Sequence, residues 1–244
     1  MGDSHLASHV RRRPPGDRAD GPHGGGDLPP RRRHHRLRLH RISEKKTMIE
    51  RMDLFRAVHA RRTDEIAVLT MAATLQYPLV SDHELDFDFL AFGMGHAGDF
   101  ALGLALARPE RKTIVFKGDG GQLMSLGSLV TLGRYAPGNL LVLFLENRVY
   151  EQTGSQPFSD RVDFDTLARG AGIQGGGATG KGKIERIETI ETFEEALPRL
   201  LTEEGPHFVI CPVENHEHVP PTSHTDHAGR IRNLRKGLGL PVPN

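Results

Sequence analysis

The residues best suited to chemistry in this chain are Asp119 and Asn147, because each lies just beyond a short apolar run. The first run is Thr113–Phe116 and the second is Leu140–Leu145. Together the two runs are rich in valine, isoleucine, leucine and phenylalanine, a composition that predicts buried strands. Mg²⁺ prefers oxygen ligands in an octahedral arrangement and usually shares them with phosphate groups. One carboxylate and one amide oxygen placed in this way therefore predict a magnesium-diphosphate site.

Three glycines, Gly118, Gly120 and Gly121, surround the candidate carboxylate of Asp119. Glycine has no Cβ atom, so its backbone can approach a ligand closely and point N–H groups at an anion. We therefore expect these glycines to contact the diphosphate. The alternative is that they are turn glycines of an ordinary α/β domain.

The segment between the two runs predicts how Asp119 and Asn147 are brought together. Residues Gln122–Tyr135 carry apolar side chains at helical spacing, and Pro137 and Gly138 end the predicted helix. A strand, a helix and a strand of this length form a βαβ unit, whose strands are parallel neighbours with a right-handed crossover. The two polar residues would then lie at the carboxyl ends of adjacent strands, where open α/β sheets bind ligands.

The spacing of these residues resembles the signature of thiamine-diphosphate enzymes. The sequence Gly-Asp-Gly at 118–120 is followed, after 25 residues, by Glu146 and Asn147, which is similar to the family's GDG motif and its paired asparagines. The resemblance implies thiamine diphosphate and Mg²⁺ as cofactors. It also implies that Asp119, Asn147 and the carbonyl of Val149 are the metal ligands. Glu146 replaces the first asparagine of the pair, whereas the second residue carries the metal contact in the family.

The stretch Gly93–Gly98 has a competing interpretation. It matches the pattern G-x-G-x-x-G, and Asp119 lies 21 residues beyond its last glycine. This is the arrangement of a nicotinamide-dinucleotide site with its ribose-binding acid. That interpretation leaves Asn147 unexplained, and a ribose-binding acid does not need glycines on both sides.

The resemblance implies a different role for the same stretch. In thiamine-diphosphate enzymes the corresponding loop contacts the aminopyrimidine ring, so Gly93, Met94 and Gly95 are predicted cofactor contacts. Met94 is the predicted wedge, a bulky apolar residue that holds the cofactor in the bent shape needed to remove its C2 proton. His96, which follows in the loop, and Glu151, which follows the metal ligands, are the candidate catalytic residues.

The segment Tyr150–Gln156 narrows the resemblance to certain subunits. Its pattern, Tyr-x-x-Thr-Gly-x-Gln, resembles β subunits of sulfopyruvate and phosphonopyruvate decarboxylases and of 2-oxoacid:ferredoxin oxidoreductases. The resemblance implies decarboxylation of a small 2-oxo acid, with a separate pyrimidine-binding α subunit that supplies the catalytic glutamate. The ferredoxin-coupled enzyme is the alternative. Iron–sulfur clusters use several cysteines, however, and this chain has one, Cys211.

Charge is distributed unevenly along the chain. Residues 1–47 hold 12 Lys and Arg against 5 Asp and Glu, a net of +7, whereas residues 48–244 hold 20 against 26, a net of −6. Because residues 1–47 contain few large apolar side chains, we predict a disordered basic extension and expect translation to begin at Met48. A nucleic-acid-binding or targeting segment is the alternative. We expect the cofactor domain to span residues 48–215 and a polar segment to span 216–244.

Composition also limits the class of protein. A single cysteine excludes a disulfide framework, and no apolar run approaches the length of a membrane span. We therefore expect a cytoplasmic protein that does not bind membrane. The resemblance implies an oligomeric enzyme, and we expect no nucleic-acid partner. Apolar runs alternate with helical patterns along the chain, which predicts an α/β fold, a three-layer α/β/α sandwich with a mostly parallel sheet.

Two further motifs are weak. The glycine-rich stretch at 175–182 nearly matches a P-loop, but the final Ser or Thr and the preceding strand are missing, so we predict a flexible loop. His216, His218, His224 and His227 are zinc-ligand types. Their irregular spacing favours a solvated loop.

Overall fold

The computed structural model describes residues 48–88, 93–176, 180–215 and 226–242. The predicted basic extension, residues 1–47, lies outside the described residues. The same holds for residues 177–179 of the glycine-rich loop, for His216, His218 and His224, and for the side chain of His227. The expectations placed on these residues stay predictions.

Eight strands and eight α-helices make up the described part of the chain. The strands are β1 (Ile66–Leu69), β2 (Asp86–Asp88), β3 (Thr113–Gly118), β4 (Leu140–Glu146), β5 (Val149–Tyr150), β6 (Gln156–Pro157), β7 (Lys183–Arg186) and β8 (His207–Pro212). The helices are α1 (Arg51–Arg61), α2 (Ala72–Gln76), α3 (Ala97–Ala107), α4 (Asp119–Leu123), α5 (Ser128–Tyr135), α6 (Phe164–Gly170), α7 (Ile190–Thr202) and α8 (His227–Gly237). Single turns of 3₁₀ helix cover Tyr77–Leu79 and Glu151–Thr153.

Six of the strands form one parallel sheet in the order β2-β1-β3-β4-β8-β7. The strands β5 and β6 form a separate antiparallel hairpin. Parallel neighbours need crossover connections, and helices provide them here, so both faces of the sheet are covered.

Alternating side chains of the central strands build the two apolar cores. On β4, Leu141, Leu143 and Leu145 belong to the core under α1 and α7, whereas Val142 and Phe144 belong to the core under α3, α5 and α6. Successive residues of a strand point to opposite faces, so a continuous apolar run is what a strand with two covered faces requires. The predicted three-layer α/β/α sandwich with a parallel sheet is confirmed.

The register of β3 and β4 fixes where the predicted site residues lie. Gly118 pairs with Leu145 at the end of the two strands. Asp119 and Asn147 therefore leave the sheet at the same carboxyl edge, as the βαβ pattern predicts. The start of the domain is tied to this edge as well, because Ile49 forms a parallel bridge with Val213 just beyond β8.

The prediction of a single helix over residues 122–135 is wrong. The chain forms α4, leaves the helix between Met124 and Gly127, and restarts as α5 at Ser128. The Gln122 amide donates to the Ser125 carbonyl and to the Ser128 hydroxyl, so a buried side chain satisfies the polar groups at the break. Serine and glycine are weak helix formers, which permits the interruption.

Two further features concern the edges of the fold. The strand β2 ends at Asp88, and residues 89–92 lie outside the described residues. Within the predicted polar segment 216–244, α8 begins at His227, and Leu234 and Leu238 lie in the core beside β2. Among the described residues, no helix is long and apolar enough to cross a membrane.

Candidate active site

A pocket opens at the carboxyl edge of the sheet, where β1, β3 and β4 end. Most of the predicted cofactor contacts line it: Met94, Gly118, Asp119, Gly120, Gly121, Asn147 and Val149. Gly93 and Gly95 are buried behind this surface and do not line it. The pocket is therefore built from the loops that the sequence singles out, which follow different strands.

Asp119 is almost completely buried, with 1% of its surface exposed. Its Oδ1 accepts a hydrogen bond from the backbone N–H of Gly120, and its Oδ2 accepts one from the N–H of Arg148, each at 2.7 Å. Burial raises the pKa of Asp119 to about 7, although these two N–H groups lower it. A carboxylate oxygen keeps a second lone pair beside one such bond, so Asp119 can still bind a cation.

The turn after β4 directs Asn147 and Val149 toward the same pocket. Arg148 adopts a positive φ of 65°, which turns its N–H toward Asp119. The Asn147 Oδ1 accepts a hydrogen bond from the N–H of Val149 at 3.2 Å. A Cβ atom built on Gly120 would lie 3.4 Å from the carbonyl oxygen of Val149. The three predicted metal ligands thus come from two neighbouring loops and surround one space.

Glu146, which departs from the paired-asparagine motif, faces away from this space. It is 3% exposed, and its Oε2 accepts a hydrogen bond from Arg186 Nη1 at 2.6 Å. Arg148 forms a second ion pair with it. Glu146 does not line the pocket. Its charge is balanced by two arginines, so the departure leaves the predicted ligand set intact.

The loop that carries Met94 packs directly on the start of α4. A Cβ atom on Gly121 would lie only 2.9 Å from the carbonyl oxygen of Met94, and one on Gly95 would lie 2.8 Å from Ser125 Cβ. The glycines are therefore needed for close packing of backbone on backbone. Lys117, only 1% exposed, donates from Nζ to the Gly95 carbonyl at 2.6 Å. Burial lowers the pKa of Lys117 to about 8.

Known proteins match this chain over the region that contains the pocket. Residues 66–211 match the family model "Thiamine pyrophosphate enzyme, C-terminal TPP binding domain". The chain is 33% identical over 169 residues to sulfopyruvate decarboxylase subunit β of Methanothermobacter thermautotrophicus, covering 68% of this chain and 83% of that protein. It is 34% identical to phosphonopyruvate decarboxylase of Streptomyces viridochromogenes over 61% of this chain and 36% of that protein.

The chain belongs to the thiamine pyrophosphate enzyme family. The matched region runs from β1 into β8, so it contains the Gly-Asp-Gly motif, the predicted metal ligands Asn147 and Val149, and the loop of Met94. Solved structures agree on the fold. A thiamine-diphosphate-dependent 4-hydroxybenzoylformate decarboxylase from Rhodococcus jostii superposes with a TM-score of 0.53 at 22% identity, over 69% of this chain and 33% of that one.

Membership of the thiamine pyrophosphate enzyme family confirms the resemblance found in the sequence. It identifies this domain as one that binds thiamine diphosphate. It also favours that interpretation of Gly93–Gly98 over the dinucleotide one. The chain spans 83% of the sulfopyruvate decarboxylase β subunit but about a third of the phosphonopyruvate decarboxylase and of the solved enzyme.

The two candidate catalytic residues lie in different environments in this thiamine pyrophosphate domain. His96 is exposed, outside the pocket, and its Nδ1 lies 2.7 Å from Asp99 Oδ2. Glu151 lines the pocket, but its carboxylate accepts hydrogen bonds from both terminal nitrogens of Arg51 and from the amide nitrogen of Asn147. The structure therefore brings Glu151, and not His96, to the predicted metal ligands.

Sequence reasoning missed the turn between β1 and α2. Thr70 is 2% exposed, lines the pocket, and its hydroxyl has no hydrogen-bond partner in the structure. Met71, also in the pocket wall, has φ 52° and ψ −124°, an unusual conformation for a residue with a side chain. The available signal was position, because Thr70 directly follows the apolar run at 66–69, at the edge of the sheet where ligands bind.

Proposed function

We propose that this chain is the diphosphate-binding subunit of a thiamine-diphosphate- and Mg²⁺-dependent 2-oxo acid decarboxylase, which acts with a separate pyrimidine-binding subunit. The observation that carries the proposal is the convergence of Asp119, Asn147 and the Val149 carbonyl around one pocket of a thiamine pyrophosphate domain. Relatives named as sulfopyruvate and phosphonopyruvate decarboxylases support the reaction type.

The donor set around Asp119 fits Mg²⁺. A carboxylate, an amide oxygen and a backbone carbonyl are all hard oxygen ligands, and they leave coordination positions for phosphate oxygens and water. The buried carboxylate itself favours a cation, because burial raises its pKa to about 7 even though two backbone N–H groups and the Arg148 charge lower it. Asp119, Asn147 and Val149 would hold the metal.

Backbone and hydroxyl donors on both sides of this set would hold the diphosphate. Gly118, Gly120 and Gly121 present backbone without Cβ atoms to the pocket, and Thr70 contributes a buried hydroxyl that lacks a partner. A buried polar group without a partner is costly, so a phosphate oxygen that accepts from Thr70 would relieve that cost.

Thiamine diphosphate, when bound, supplies the electron sink that allows the substrate carboxylate to leave as CO₂. This chain's own residues bind and orient the cofactor at its diphosphate end. Met94 is 38% exposed on the pocket wall, held by a loop that packs on Gly121 and on Lys117. A half-exposed apolar side chain on a fixed loop suits the role of a wedge against the cofactor.

The partner would supply the groups that this pocket lacks. Glu151 forms an ion pair with Arg51, and Glu146 forms one with Arg186. Neither carboxylate is therefore available to the aminopyrimidine ring. In the part of the chain that the structure describes, Arg51 is the basic residue of the pocket wall. We therefore assign recognition of the substrate's anionic groups to the partner as well.

We assign the contact surface for this partner to exposed apolar side chains on the Met94 loop and on the segment from α4 to α5. Met94, Met124, Leu126 and Val130 are between 38% and 62% exposed. Apolar patches of this kind are typical of contact surfaces. The single cysteine, Cys211, is buried within β8, so this chain offers no cysteine cluster for the ferredoxin-coupled alternative.

The deciding experiment measures CO₂ release from small 2-oxo acids, including sulfonated and phosphonated ones, with Mg²⁺ and thiamine diphosphate. The chain alone should release little CO₂, and addition of a matching pyrimidine-binding subunit should restore release. The Asp119→Asn variant, mixed with the same subunit, should stay inactive and lose Mg²⁺-dependent cofactor binding. Vigorous turnover by the chain alone would contradict the two-subunit proposal, and unchanged binding by the variant would contradict the metal site.

A further inference from the structure

One buried ion pair adjoins the predicted metal ligands and has no role in the function proposed so far. Arg51 Nη1 and Nη2 donate to Glu151 Oε2 and Oε1 at 2.8 and 2.9 Å. The side chains are 2% and 8% exposed. The two residues are 100 positions apart in sequence, one at the start of α1 and the other in the turn after β5. A bidentate pair of this kind fixes the carboxylate in both position and orientation.

The same carboxylate also holds Asn147. The Asn147 Nδ2 donates to Glu151 Oε2 at 2.8 Å, while its Oδ1 lies on the other side and accepts from the N–H of Val149. An asparagine amide can rotate by half a turn, which exchanges its oxygen and its nitrogen. An ionised carboxylate only accepts hydrogen bonds, so Glu151 can face the nitrogen but not the oxygen. Glu151 therefore selects one of the two orientations of the amide.

Arg51 in turn keeps Glu151 in this role. The guanidinium donates to both carboxylate oxygens, so it holds Glu151 in the position that faces the Asn147 amide. The start of α1 is anchored independently, because the N–H of Ile49 donates to the Pro212 carbonyl at 2.9 Å. Arg51 thus approaches Glu151 from an element attached to the neighbouring strand β8.

We propose that Arg51 and Glu151 are positioning residues that hold the Asn147 amide with its oxygen, and not its nitrogen, available to the metal of the bound cofactor. The inference rests on the proposed function, and it gives Glu151 a role other than proton transfer. An amide nitrogen cannot ligate Mg²⁺, so an amide free to rotate would be a weaker ligand.

The first test replaces Glu151 with glutamine in the full-length chain. The measurement is the rise in melting temperature caused by thiamine diphosphate at increasing Mg²⁺ concentration, since a ligand that binds the folded state stabilises it by mass action even at modest affinity. Glutamine can donate as well as accept, so it no longer selects the amide orientation. We expect the Mg²⁺ concentration for the half-maximal rise to increase about 10- to 100-fold, as for other residues that orient a metal ligand.

A matched control is available elsewhere in the chain. Arg199 forms a bidentate pair with Glu185, at 2.9 and 2.7 Å, between α7 and β7 and outside the pocket. The Glu185→Gln variant makes the same chemical change at a bidentate pair that is more exposed, 35% and 26% against 2% and 8%. It should leave the Mg²⁺ dependence of the temperature rise unchanged.

A second test distinguishes positioning from general support of the fold. In the Asn147→Asp variant a carboxylate faces Glu151, and the two like charges repel each other. Adding Glu151→Gln to that variant replaces the repulsion with a donated hydrogen bond. Glu151→Gln should therefore weaken Mg²⁺-dependent binding when residue 147 is asparagine and strengthen it when residue 147 is aspartate. If Glu151 only supported the fold or transferred a proton, Glu151→Gln would change Mg²⁺-dependent binding in the same direction with either residue at position 147.

A third variant guards against unfolding. Glu151→Gln leaves the buried Arg51 charge uncompensated, whereas replacing both partners of a buried pair by neutral side chains of similar size is well tolerated. The double variant Arg51→Met, Glu151→Gln should fold and should show the same increase in Mg²⁺ requirement. Wild-type Mg²⁺ dependence in both Glu151 variants would overturn the inference alone. Absence of any Mg²⁺-dependent rise in the wild-type protein would overturn the proposed function and the inference together.

Discussion

Replacing Gly121 with alanine tests whether the Met94 loop packs as closely on α4 as the structure shows. The new Cβ atom would lie 2.9 Å from the Met94 carbonyl oxygen, whereas ordinary contacts begin at 3.4 Å. The obstacle is backbone, which cannot rotate away as a side chain could. The Met94 loop must therefore move by about half an ångström, away from the position that presents Met94 to the pocket.

The size of the effect follows from two opposing contributions. Forcing an extra methyl group into a packed site typically costs about 1–3 kcal/mol. Alanine in place of a helical glycine returns about 0.5–1 kcal/mol, and Gly121 lies within α4. Taking the middle of each range, the net destabilisation should be about 1–1.5 kcal/mol, which for a domain of this size lowers the melting temperature by about 2–6 °C.

The assay is thermal or urea unfolding of Gly121→Ala beside a matched control, Gly103→Ala. Gly103 also lies within a helix, α3, is exposed, and would meet no atom within 4 Å of a new Cβ. The control should be as stable as the wild type or more stable by up to about 1 kcal/mol. If Gly121→Ala is equally stable, the close approach of the two backbones is wrong, and so is the argument that Gly121 positions Met94.

Three other predictions concern the cofactor and pH. Met94→Ala, assayed with the partner subunit, should slow CO₂ release strongly while the thiamine diphosphate affinity changes little; equal turnover would remove Met94 from the wedge role. Gly118→Ala, whose Cβ meets no protein atom within 4 Å, should keep the wild-type melting temperature but weaken cofactor binding, as calorimetry would measure. Burial, together with the nearby Lys112 ammonium, lowers the pKa of His207 below the ordinary 6.5. The unfolded state therefore takes up a proton that the folded state resists, and stability should fall as pH drops below about 6.5. His207→Leu should flatten that part of the pH–stability curve, whereas substitution of the exposed His59 should not.

Local pattern determined most of the fold and the core of the candidate site. The continuous apolar composition of β3 and β4 is enough to predict that both strands are buried. The helix between them predicts that the two strands are parallel neighbours in the sheet. Asp119 and Asn147 then had to share one edge, whatever the rest of the chain does. The role of the glycines on either side of Asp119 could also be predicted, because only a residue without a Cβ atom lets the backbone approach a ligand this closely.

Contacts between side chains far apart in sequence depended on which segments pack together in the fold. The spacing of residues along the sequence does not predict such packing. Nothing in the sequence links Arg51 to Glu151, because their contact arises only when α1 is anchored beside β8. The same applies to Lys117, whose ammonium is buried against the Gly95 carbonyl. From the sequence, His96 and Glu151 are equally good catalytic candidates. The structure places Glu151 in the pocket wall and His96 outside it.

The interruption between α4 and α5 has the same origin. Helical spacing runs from Gln122 to Tyr135, and the local pattern therefore predicts one helix. The break is stabilised by a buried side chain, Gln122, that bonds to groups beyond it, and by the Met94 loop, which packs on the start of α4. Periodicity reports which face of a segment is apolar. Whether the segment stays straight is decided by the contacts that satisfy its backbone, and those exist only in the folded protein.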